Sequence, residues 1–308
     1  MKIAIVGTGG VGGYYGGLLA QQGHTVTFLA RGAHLEAIRR NGLQVKSKFG
    51  DFVIKPANAT DAPGNAGPVE LLLFCTKTYR TDEAVEITKP LVGDETTVLS
   101  LQNGVDAADR LGAVLGLERM IAGATWLSAA IVAPGVINQA SDFRRIVIGE
   151  LDGSVTPRVR AIHDAFKETG STIEISENIT GVLWTKLIFI SAASAFGSLT
   201  RLPMAAYRSV PETRALITTL MHETRAVAIA HGVKLAPDAV EAALAFMDKA
   251  GPTIKASMQL DVEAGRQSEL EALIGVIGRK GRERGVPTPV ADMIYGSLLP
   301  ADLKARGL

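Results

Sequence analysis

The sequence predicts an α/β domain followed by an all-α domain, because the pattern of apolar residues changes near residue 177. Before that point, short apolar strands alternate with helical segments, which is the order that builds a mainly parallel sheet. Beyond it, long helical periods take over, at residues 180–198, 211–231, 237–248 and 267–284. We therefore expect an N-terminal domain at residues 1–177 and a helical domain at residues 178–308.

The chain opens with an apolar strand that runs directly into a glycine-rich turn. The turn reads Gly7-x-Gly9-x-x-Gly12, a helix follows it, and a second strand begins at Thr25. In such a unit the first glycine permits the turn, the second lets the backbone approach a pyrophosphate, and the third lets helix and strand pack closely. The pyrophosphate then lies at a helix N-terminus, whose N–H groups favour negative charge. The pattern predicts a dinucleotide-binding domain of the Rossmann type.

The end of the second strand indicates which dinucleotide binds. NAD sites usually place an acidic residue there to bind the ribose 2′-hydroxyl, but this chain has no Asp or Glu before Glu36. Arg31 stands there instead, and a guanidinium suits a 2′-phosphate because it donates paired, charge-assisted hydrogen bonds. We therefore expect NADPH as the cofactor. The alternative interpretation makes Arg31 a solvated loop residue.

The other elements of the N-terminal domain follow from local patterns. Gly50-Asp51 is typical of a hairpin turn, and the apolar run Val69–Cys75 is typical of a buried parallel strand. The remaining expectations are a helix at 33–41, a hairpin at 43–54, a surface loop at 57–68, a helix at 81–89, strands at 97–101, 119–130, 135–139 and 145–150, a helix at 156–169 and a strand at 172–175.

Composition and charge exclude several classes of protein. Hydrophobic residues make up 47% of the chain and charged residues 20%, and the net charge of +1 argues against a nucleic-acid-binding surface. Cys75 is the only cysteine, so no intramolecular disulfide can form, and we expect a buried thiol in a reducing cytoplasm. We expect no signal peptide and no membrane span, and the oligomeric state stays open, a homodimer included.

The helical domain supplies a candidate proton donor. Hydride delivery to a ketone leaves an alkoxide, so such a reaction needs a general acid near the carbonyl oxygen. Lys186 lies in a strongly apolar helical segment beside Trp184 and Leu187, and desolvation lowers the pKa of a lysine towards useful values for proton transfer. The alternative is a lysine whose ammonium reaches solvent along its apolar stem.

Two polar residues further along are weaker candidates by themselves. Glu269 could order such a lysine or bind the cofactor ribose, but alone it is an ordinary polar residue near a helix start. Ser257 is no more distinctive unaided. The five histidines show no spacing typical of metal ligands, and we expect no bound metal.

Four motifs together resemble the ketopantoate reductase family, also called 2-dehydropantoate 2-reductase. They are Gly7–Gly17, Cys75-Thr-Lys77, Leu101-Gln-Asn103-Gly104 and Trp184-Thr-Lys186-Leu187, and the resemblance extends over nearly the whole chain. It implies a Rossmann domain followed by a helical domain. It also implies NADPH-dependent reduction of a 2-keto acid, with ketopantoate as the leading substrate and pantothenate biosynthesis as the setting.

The resemblance assigns a set of residues to the cofactor. Arg31 would bind the 2′-phosphate, and Lys77 would lie near that phosphate or the adenosine. Asn103 would lie beside the nicotinamide, while Glu269 and the backbone of Ala129 would also contact the cofactor. The pyrophosphate would be held by the glycine-rich turn, which comprises Gly7, Thr8, Gly9, Gly10, Val11 and Gly12.

On the substrate side the chain departs from the family. The resemblance makes Lys186 the proton donor, Glu269 the residue that orders it, and Ser257 a substrate ligand. The family usually places asparagines four and eight residues after the lysine, where this chain has Ile190 and Ser194. We expect Ser194 to contact the substrate, but an isoleucine removes a hydrogen bond, at a cost of about 1–3 kcal/mol for an unpaired substrate hydroxyl.

The sequence therefore predicts an NADPH-dependent reductase of a small-molecule 2-keto acid, with ketopantoate to pantoate as the leading reaction. A different, more apolar 2-keto acid is one alternative. A β-hydroxyacid dehydrogenase, which shares the two-domain plan and a helical lysine, is another. A non-catalytic NADP-responsive binding protein is the alternative from a different class, and the physiological direction of reaction stays open.

Overall fold

The computed structural model describes residues 1–308, which form two compact units. The chain passes from the first unit to the second between Ile179 and Thr180, two residues after the boundary drawn from the sequence. The short segment Asn103–Val105 belongs to the second unit although it is surrounded in sequence by the first. The first unit comprises Met1–Gln102 and Asp106–Ile179, and the second comprises Asn103–Val105 and Thr180–Leu308.

The first unit is built from twelve strands and five helices. The strands are β1 (Lys2–Val6), β2 (Thr25–Leu29), β3 (Leu43–Ser47), β4 (Phe52–Ile54), β5 (Asn58–Thr60), β6 (Leu71–Phe74), β7 (Thr97–Ser100), β8 (Met120–Trp126), β9 (Ala129–Ala133), β10 (Val136–Gln139), β11 (Arg145–Glu150) and β12 (Thr172–Ile175). The helices are α1 (Gly10–Gln21), α2 (Gly32–Asn41), α3 (Thr81–Thr88), α4 (Ala107–Leu115) and α5 (Pro157–Glu168).

An eight-stranded sheet in the order β12-β11-β8-β7-β6-β1-β2-β5 forms the centre of this unit. Six neighbouring strands from β8 to β5 are parallel, whereas β11 pairs antiparallel with β8. A second sheet has the order β4-β3-β10-β9. Because β1 pairs in parallel with both β2 and β6, the carboxyl ends of these three strands meet at one edge of the sheet, where dinucleotide sites form.

Most of the expected elements of this unit are confirmed, with three differences. The expected surface loop at 57–68 contains β5, which extends the sheet edge beside β2. The expected strand at 119–130 is two strands, β8 and β9, that belong to different sheets. Helix α4 was not anticipated, because its short apolar face consists of only two leucines, Leu111 and Leu115.

The second unit is helical throughout. Its helices are α6 (Ile179–Thr200), α7 (Met204–Arg208), α8 (Pro211–Ala230), α9 (Ala239–Asp248), α10 (Ser257–Glu263), α11 (Val276–Arg284) and α12 (Pro289–Ala305), with a π-helical turn at Glu271–Gly275. Helix α12, which begins at one proline and contains a second, Pro300, is not among the elements that the sequence predicts. The helix expected at 267–284 begins later and passes through the π-helical turn.

Helix α6 is the core helix of this unit. Its side chains Trp184, Leu187 and Ile188 are almost completely buried among residues of α8, α9 and α12. By length and composition alone α6 would also qualify as a membrane span, but 61% of its most apolar window is buried within the protein. Buried core helices commonly pass that test.

A carboxylate from α8 holds the start of α12. Glu223 is buried, and its two oxygens accept hydrogen bonds from the backbone N–H groups of Val290 and Ala291, both at 2.9 Å. Helix N-termini leave such N–H groups unpaired, and a negative charge there also interacts favourably with the helix dipole. Pro289 precedes them and has no N–H to satisfy. Glu223 therefore fixes α12 against α8.

In the first unit, His34 ties three segments together. The backbone N–H of Gly135, between β9 and β10, donates to Nδ1 of His34 at 3.0 Å, and Nε2 lies 2.8 Å from the carbonyl oxygen of Thr8. Because a backbone N–H can only donate, Nδ1 accepts, and Nε2 must carry the proton that it donates to Thr8. The ring is therefore neutral, and burial lowers the pKa of His34 below its ordinary value.

The neutral His34 predicts a pH-dependent stability. The pKa of His34 is lower in the folded protein, so its contribution is complete above about pH 6.5, the ordinary histidine pKa, and is lost as the pH falls towards the folded value. We expect wild type to lose at most about 1.4 kcal/mol per pH unit relative to His34→Gln, whose amide can make both hydrogen bonds without titrating. Urea unfolding from about pH 7.5 down to pH 5 measures this.

His24 also has a lowered pKa, but it is present in both proteins and cancels in the comparison. A wild type and a His34→Gln variant that lose stability in parallel would contradict the assignment.

Candidate active site

The glycine-rich turn has the geometry that a bound pyrophosphate requires. Gly7 has a φ of 93°, which strongly favours glycine, and a Cβ added to Gly12 would lie 2.3 Å from the carbonyl oxygen of Gly7. A Cβ on Gly9 would meet nothing within 4 Å. Gly9 is also the N-cap of α1, and no side chain caps that helix. The space in front of the first N–H groups of α1 is therefore open, and it fits an anionic ligand.

The neighbouring backbone lies tightly around this turn. Thr8 is buried, and its hydroxyl donates to the carbonyl oxygen of Leu29 at 2.9 Å, which joins the turn to the end of β2. A Cβ on Gly10 would lie 2.0 Å from the carbonyl oxygen of Ala129. The structure therefore places the backbone of Ala129 directly beside the first residue of α1, and Val11 packs against the core below.

Arg31 follows β2 and carries an ion pair that the sequence did not indicate. Its Nη1 donates to Oε1 of Glu83 in α3, and the Arg31 guanidinium lowers the pKa of Glu83 below its ordinary value. Arg80 lies 3.8 Å from the other carboxylate oxygen of Glu83. Two guanidiniums thus flank one exposed carboxylate at the carboxyl edge of the sheet. Sequence reasoning found Arg31 alone, because nothing local relates Arg80 or Glu83 to it.

Lys77 lies at the same edge, in the segment directly after β6. It is partly buried, and its strand neighbours β1, whose end carries the glycine-rich turn. A Cβ on Gly7 would lie 2.8 Å from the backbone nitrogen of Thr76, which shows how closely the two segments approach. Burial raises the pKa of the nearby Cys75 thiol, so this cysteine is a packing residue.

In the second unit, Asn103 bridges Lys186 and Glu269. The Lys186 Nζ donates to Oδ1 of Asn103 at 3.0 Å, and Nδ2 of Asn103 donates to Oε2 of Glu269 at 3.0 Å. An ammonium can only donate and a carboxylate oxygen here accepts, so the two contacts fix the orientation of the amide. Residues that are distant in sequence therefore form one polar cluster in an apolar unit.

The surroundings of Lys186 make its ammonium group more acidic than that of an ordinary lysine. Burial in the apolar helix lowers the pKa of Lys186 from 10.5 to about 8, and the negative charge of Glu269 partly opposes this change. A general acid is most effective when its pKa lies near the working pH. Lys186 is a partly buried side chain of α6, whose other residues are all uncharged.

Glu269 is held in place by contacts that no local sequence pattern indicates. It stands at the start of the helical segment that leads into α11, and its carbonyl oxygen accepts from the N–H of Leu273 at 3.0 Å. The preceding Ser268 donates from both its backbone N–H and its hydroxyl to Oδ1 of Asp302, each at 2.8 Å. Arg306 pairs with the other oxygen of Asp302 at 2.6 Å. Asp302 lies 34 residues away in sequence, in α12, and no local pattern could have revealed it.

The expected substrate ligands occupy different environments. Ser257 is exposed and is the first residue of α10. Ile190 is partly exposed, one helical turn after Lys186 on the same side of α6. Ser194 is fully buried one turn further, and its hydroxyl has no hydrogen-bond partner in the protein. The structure brings Asn103, Lys186 and Glu269 together, and it gives neither serine a partner in that cluster.

A dinucleotide-type glycine turn together with a desolvated lysine defines a class of nicotinamide-dependent oxidoreductases. Comparison with known proteins identifies the family: residues 3–153 match ketopantoate reductase PanE/ApbA, and residues 178–300 match its C-terminal domain. The chain belongs to the ketopantoate reductase family. It is accordingly an oxidoreductase, of a family that uses a nicotinamide cofactor.

Individual relatives agree with this assignment over almost their whole length. The chain is 30% identical to a 2-dehydropantoate 2-reductase of Mesorhizobium japonicum, over 96% of this chain and 95% of the relative. It is 30% identical to an uncharacterized oxidoreductase, YkpB, of Bacillus subtilis, over 97% and 98%. The solved structure of 2-dehydropantoate 2-reductase from Geobacter metallireducens is 32% identical, with a TM-score of 0.92 and coverage of 98% and 100%.

The contacts of Asp302 predict a large loss of stability on its removal. Asp302→Ala leaves the buried N–H and hydroxyl of Ser268 without their acceptor, and each unpaired buried group costs about 1–3 kcal/mol. Arg306 is exposed and adds little, because water can solvate its charge. Asp248→Ala is the matched control, since its pair with Arg214 lies on the surface of the same unit and should cost less than about 1 kcal/mol. Chemical denaturation measures both. Equal losses would show that Asp302 does not anchor the segment before Glu269.

Proposed function

We propose that this protein uses NADPH to reduce a 2-keto acid to the corresponding 2-hydroxy acid, and that reduction of ketopantoate to pantoate is the first reaction to test. The observation that carries the proposal is the Asn103-bridged pair of Lys186 and Glu269. Family membership supports the reaction type, while identities of about 30% leave the substrate to experiment. Cytoplasmic location is part of the proposal.

Lys186 is the proposed proton donor to the substrate oxygen. When bound, NADPH would supply the hydride that the keto carbon accepts. Lys186 then protonates the oxygen, and its lowered pKa makes that transfer favourable near pH 8. Asn103 holds Nζ in a fixed direction through its hydrogen bond of 3.0 Å, and Glu269 keeps the ammonium form accessible by opposing the effect of burial.

The proposed preference for NADPH is supported by the charges at the end of β2. Arg31 and Arg80 both approach Glu83 in the structure, and a 2′-phosphate carries the same sign of charge as that carboxylate. We propose that the phosphate replaces Glu83 as the partner of Arg31, with Lys77 supplying further positive charge at the same edge.

The other candidate reactions differ from this proposal in what they require of Lys186. A β-hydroxyacid dehydrogenase would oxidise a 3-hydroxy acid with a helical lysine in a comparable place. A non-catalytic NADP-binding protein would keep the glycine-rich turn but would have no need of a desolvated lysine fixed by an amide. A lysine that is desolvated and held by the Asn103 amide favours a catalytic role over cofactor binding alone.

The deciding experiment is a screen for NADPH oxidation over a panel of 2-keto acids that includes ketopantoate. A set of 3-hydroxy acids is tested in parallel for oxidation with NADP⁺. Lys186→Ala should reduce kcat on the best substrate by about 10²–10⁴-fold, as removal of a general acid does. NADPH binding, followed by nicotinamide fluorescence, should remain unchanged. For wild type, kcat/KM for reduction should fall as the pH rises through about 8, because the proton of Lys186 is lost there.

Unchanged turnover in Lys186→Ala would remove the proposed acid. Oxidation of a 3-hydroxy acid without any reduction of 2-keto acids would favour the dehydrogenase instead.

Removal of the Arg31 guanidinium should weaken the use of NADPH much more than the use of NADH. We expect Arg31→Ala to raise KM for NADPH by about 10–100-fold, the value of a charge-assisted hydrogen bond, and KM for NADH by less than about threefold. Arg39→Ala is the matched control, because Arg39 is an exposed arginine of α2 that pairs with Glu36 and Asp61. Equal changes for NADPH and NADH would refute the assignment of Arg31.

A further inference from the structure

The side of α6 that carries Lys186 is otherwise hydrocarbon. Lys186 is the only charged residue of this helix. The partly exposed side chains within one turn of it on that side are Val182, Leu183, Phe189 and Ile190. A molecule that extends from the Lys186 ammonium along α6 therefore meets apolar side chains of this helix in both directions.

Ile190 is the residue of this group that lies in line with Lys186 towards the C-terminus of α6. Residues four apart on a helix have Cβ atoms about 6 Å from each other, so one side chain lies directly above the other. Ile190 packs partly against the core of the helical unit, and the rest of its side chain is exposed. It offers no donor or acceptor to a ligand.

The next turn of α6 also offers no exposed hydrogen-bonding group to a ligand. Ser194 is completely buried, with its hydroxyl unpaired inside the protein. Ser191 and Ser198 are also buried, and Ser191 donates to the carbonyl oxygen of Ile188 within its own helix. The three serine hydroxyls of α6 beyond Lys186 are therefore withdrawn from the surface, while Ile190 remains on it.

From this arrangement we propose that the preferred substrate is a 2-keto acid with a branched hydrocarbon substituent, and that Ile190 is the residue that selects it. The inference rests on the proposed function and specifies its substrate class. With the keto oxygen at Lys186, the substituent on the keto carbon extends along α6 and packs on Ile190. A hydroxyl in that position would lose its water without gaining a partner, whereas a methyl group gains a contact.

The proposal is tested with two substrates that differ at one group. Ketopantoate carries a terminal hydroxyl on its branched chain, and trimethylpyruvate has the same carbon skeleton with a hydrogen in that place. We expect wild type to reduce trimethylpyruvate with a kcat/KM at least about tenfold higher, which is the discrimination that one unpaired hydroxyl produces.

Two variants of equal shape test the part played by Ile190. Asparagine and leucine branch at the same carbon and have the same number of non-hydrogen side-chain atoms, so Ile190→Asn and Ile190→Leu differ chiefly in polarity. Ile190→Asn should shift the ratio of the two kcat/KM values towards ketopantoate by about tenfold or more, whereas Ile190→Leu should leave the preference for trimethylpyruvate in place. Thermal unfolding and NADPH binding of both variants confirm that they are folded, and Ile190→Thr serves if the asparagine variant is not.

The outcomes separate this inference from the function on which it rests. If wild type reduces neither compound nor any other 2-keto acid, the proposed function fails. If wild type reduces both and prefers ketopantoate, or shows no preference, the function stands and the apolar substrate class is overturned. If wild type prefers trimethylpyruvate but Ile190→Asn leaves the ratio unchanged, Ile190 is not the selecting residue.

Discussion

The hydrogen bond between Lys186 and Asn103 is the interaction on which the proposed chemistry of this protein depends. An ammonium group in an apolar helix is costly, and one amide oxygen at 3.0 Å provides its fixed acceptor. The same amide uses its other end on Glu269, so neither contact can move without disturbing the second. The electrostatic balance that leaves the pKa of Lys186 near 8 arises from opposing effects, burial and the Glu269 charge. The acidity of Lys186, the proposed proton donor, is therefore set by its surroundings more than by its own side chain.

Much of the helical unit serves to hold those surroundings in place. Glu269 stands after Ser268, which is fixed by Asp302 of α12. Helix α12 is in turn fixed at its start by Glu223 of α8. Two buried carboxylates, one at the beginning of α12 and one near its end, thus connect the position of Glu269 to the packing of the unit. These anchors are hydrogen-bonded to backbone groups, a type of contact that is more restrictive in geometry than apolar packing.

The sequence was informative wherever function depends on local geometry. The glycine-rich turn and its flanking strands were predictable because the need for each glycine, a positive φ or a close backbone contact, arises within a few residues of it. Lys186 could be singled out because a charge in an apolar run is conspicuous. The partners of these residues could not be found in the same way: Glu83 pairs with Arg31 across 52 positions, and Asp302 meets Ser268 across 34. Pro289 suits a first helical turn, but Pro300 lies within helix α12 and interrupts its pattern, so the sequence did not indicate this helix.

The membership of Asn103–Val105 in the helical unit has a consequence for recombination within this family. A chimera of two family members joined between Ile179 and Thr180 exchanges the whole chain that follows the first unit. It would in fact take Lys186 and Glu269 from one parent and Asn103 from the other. The Asn103 amide must contact both of these side chains at once. The chimera would therefore form this cluster only if the Asn103–Val105 segment of one parent fits the helical unit of the other. The point at which the chain passes from one unit to the next therefore does not coincide with the limits of the Lys186 cluster.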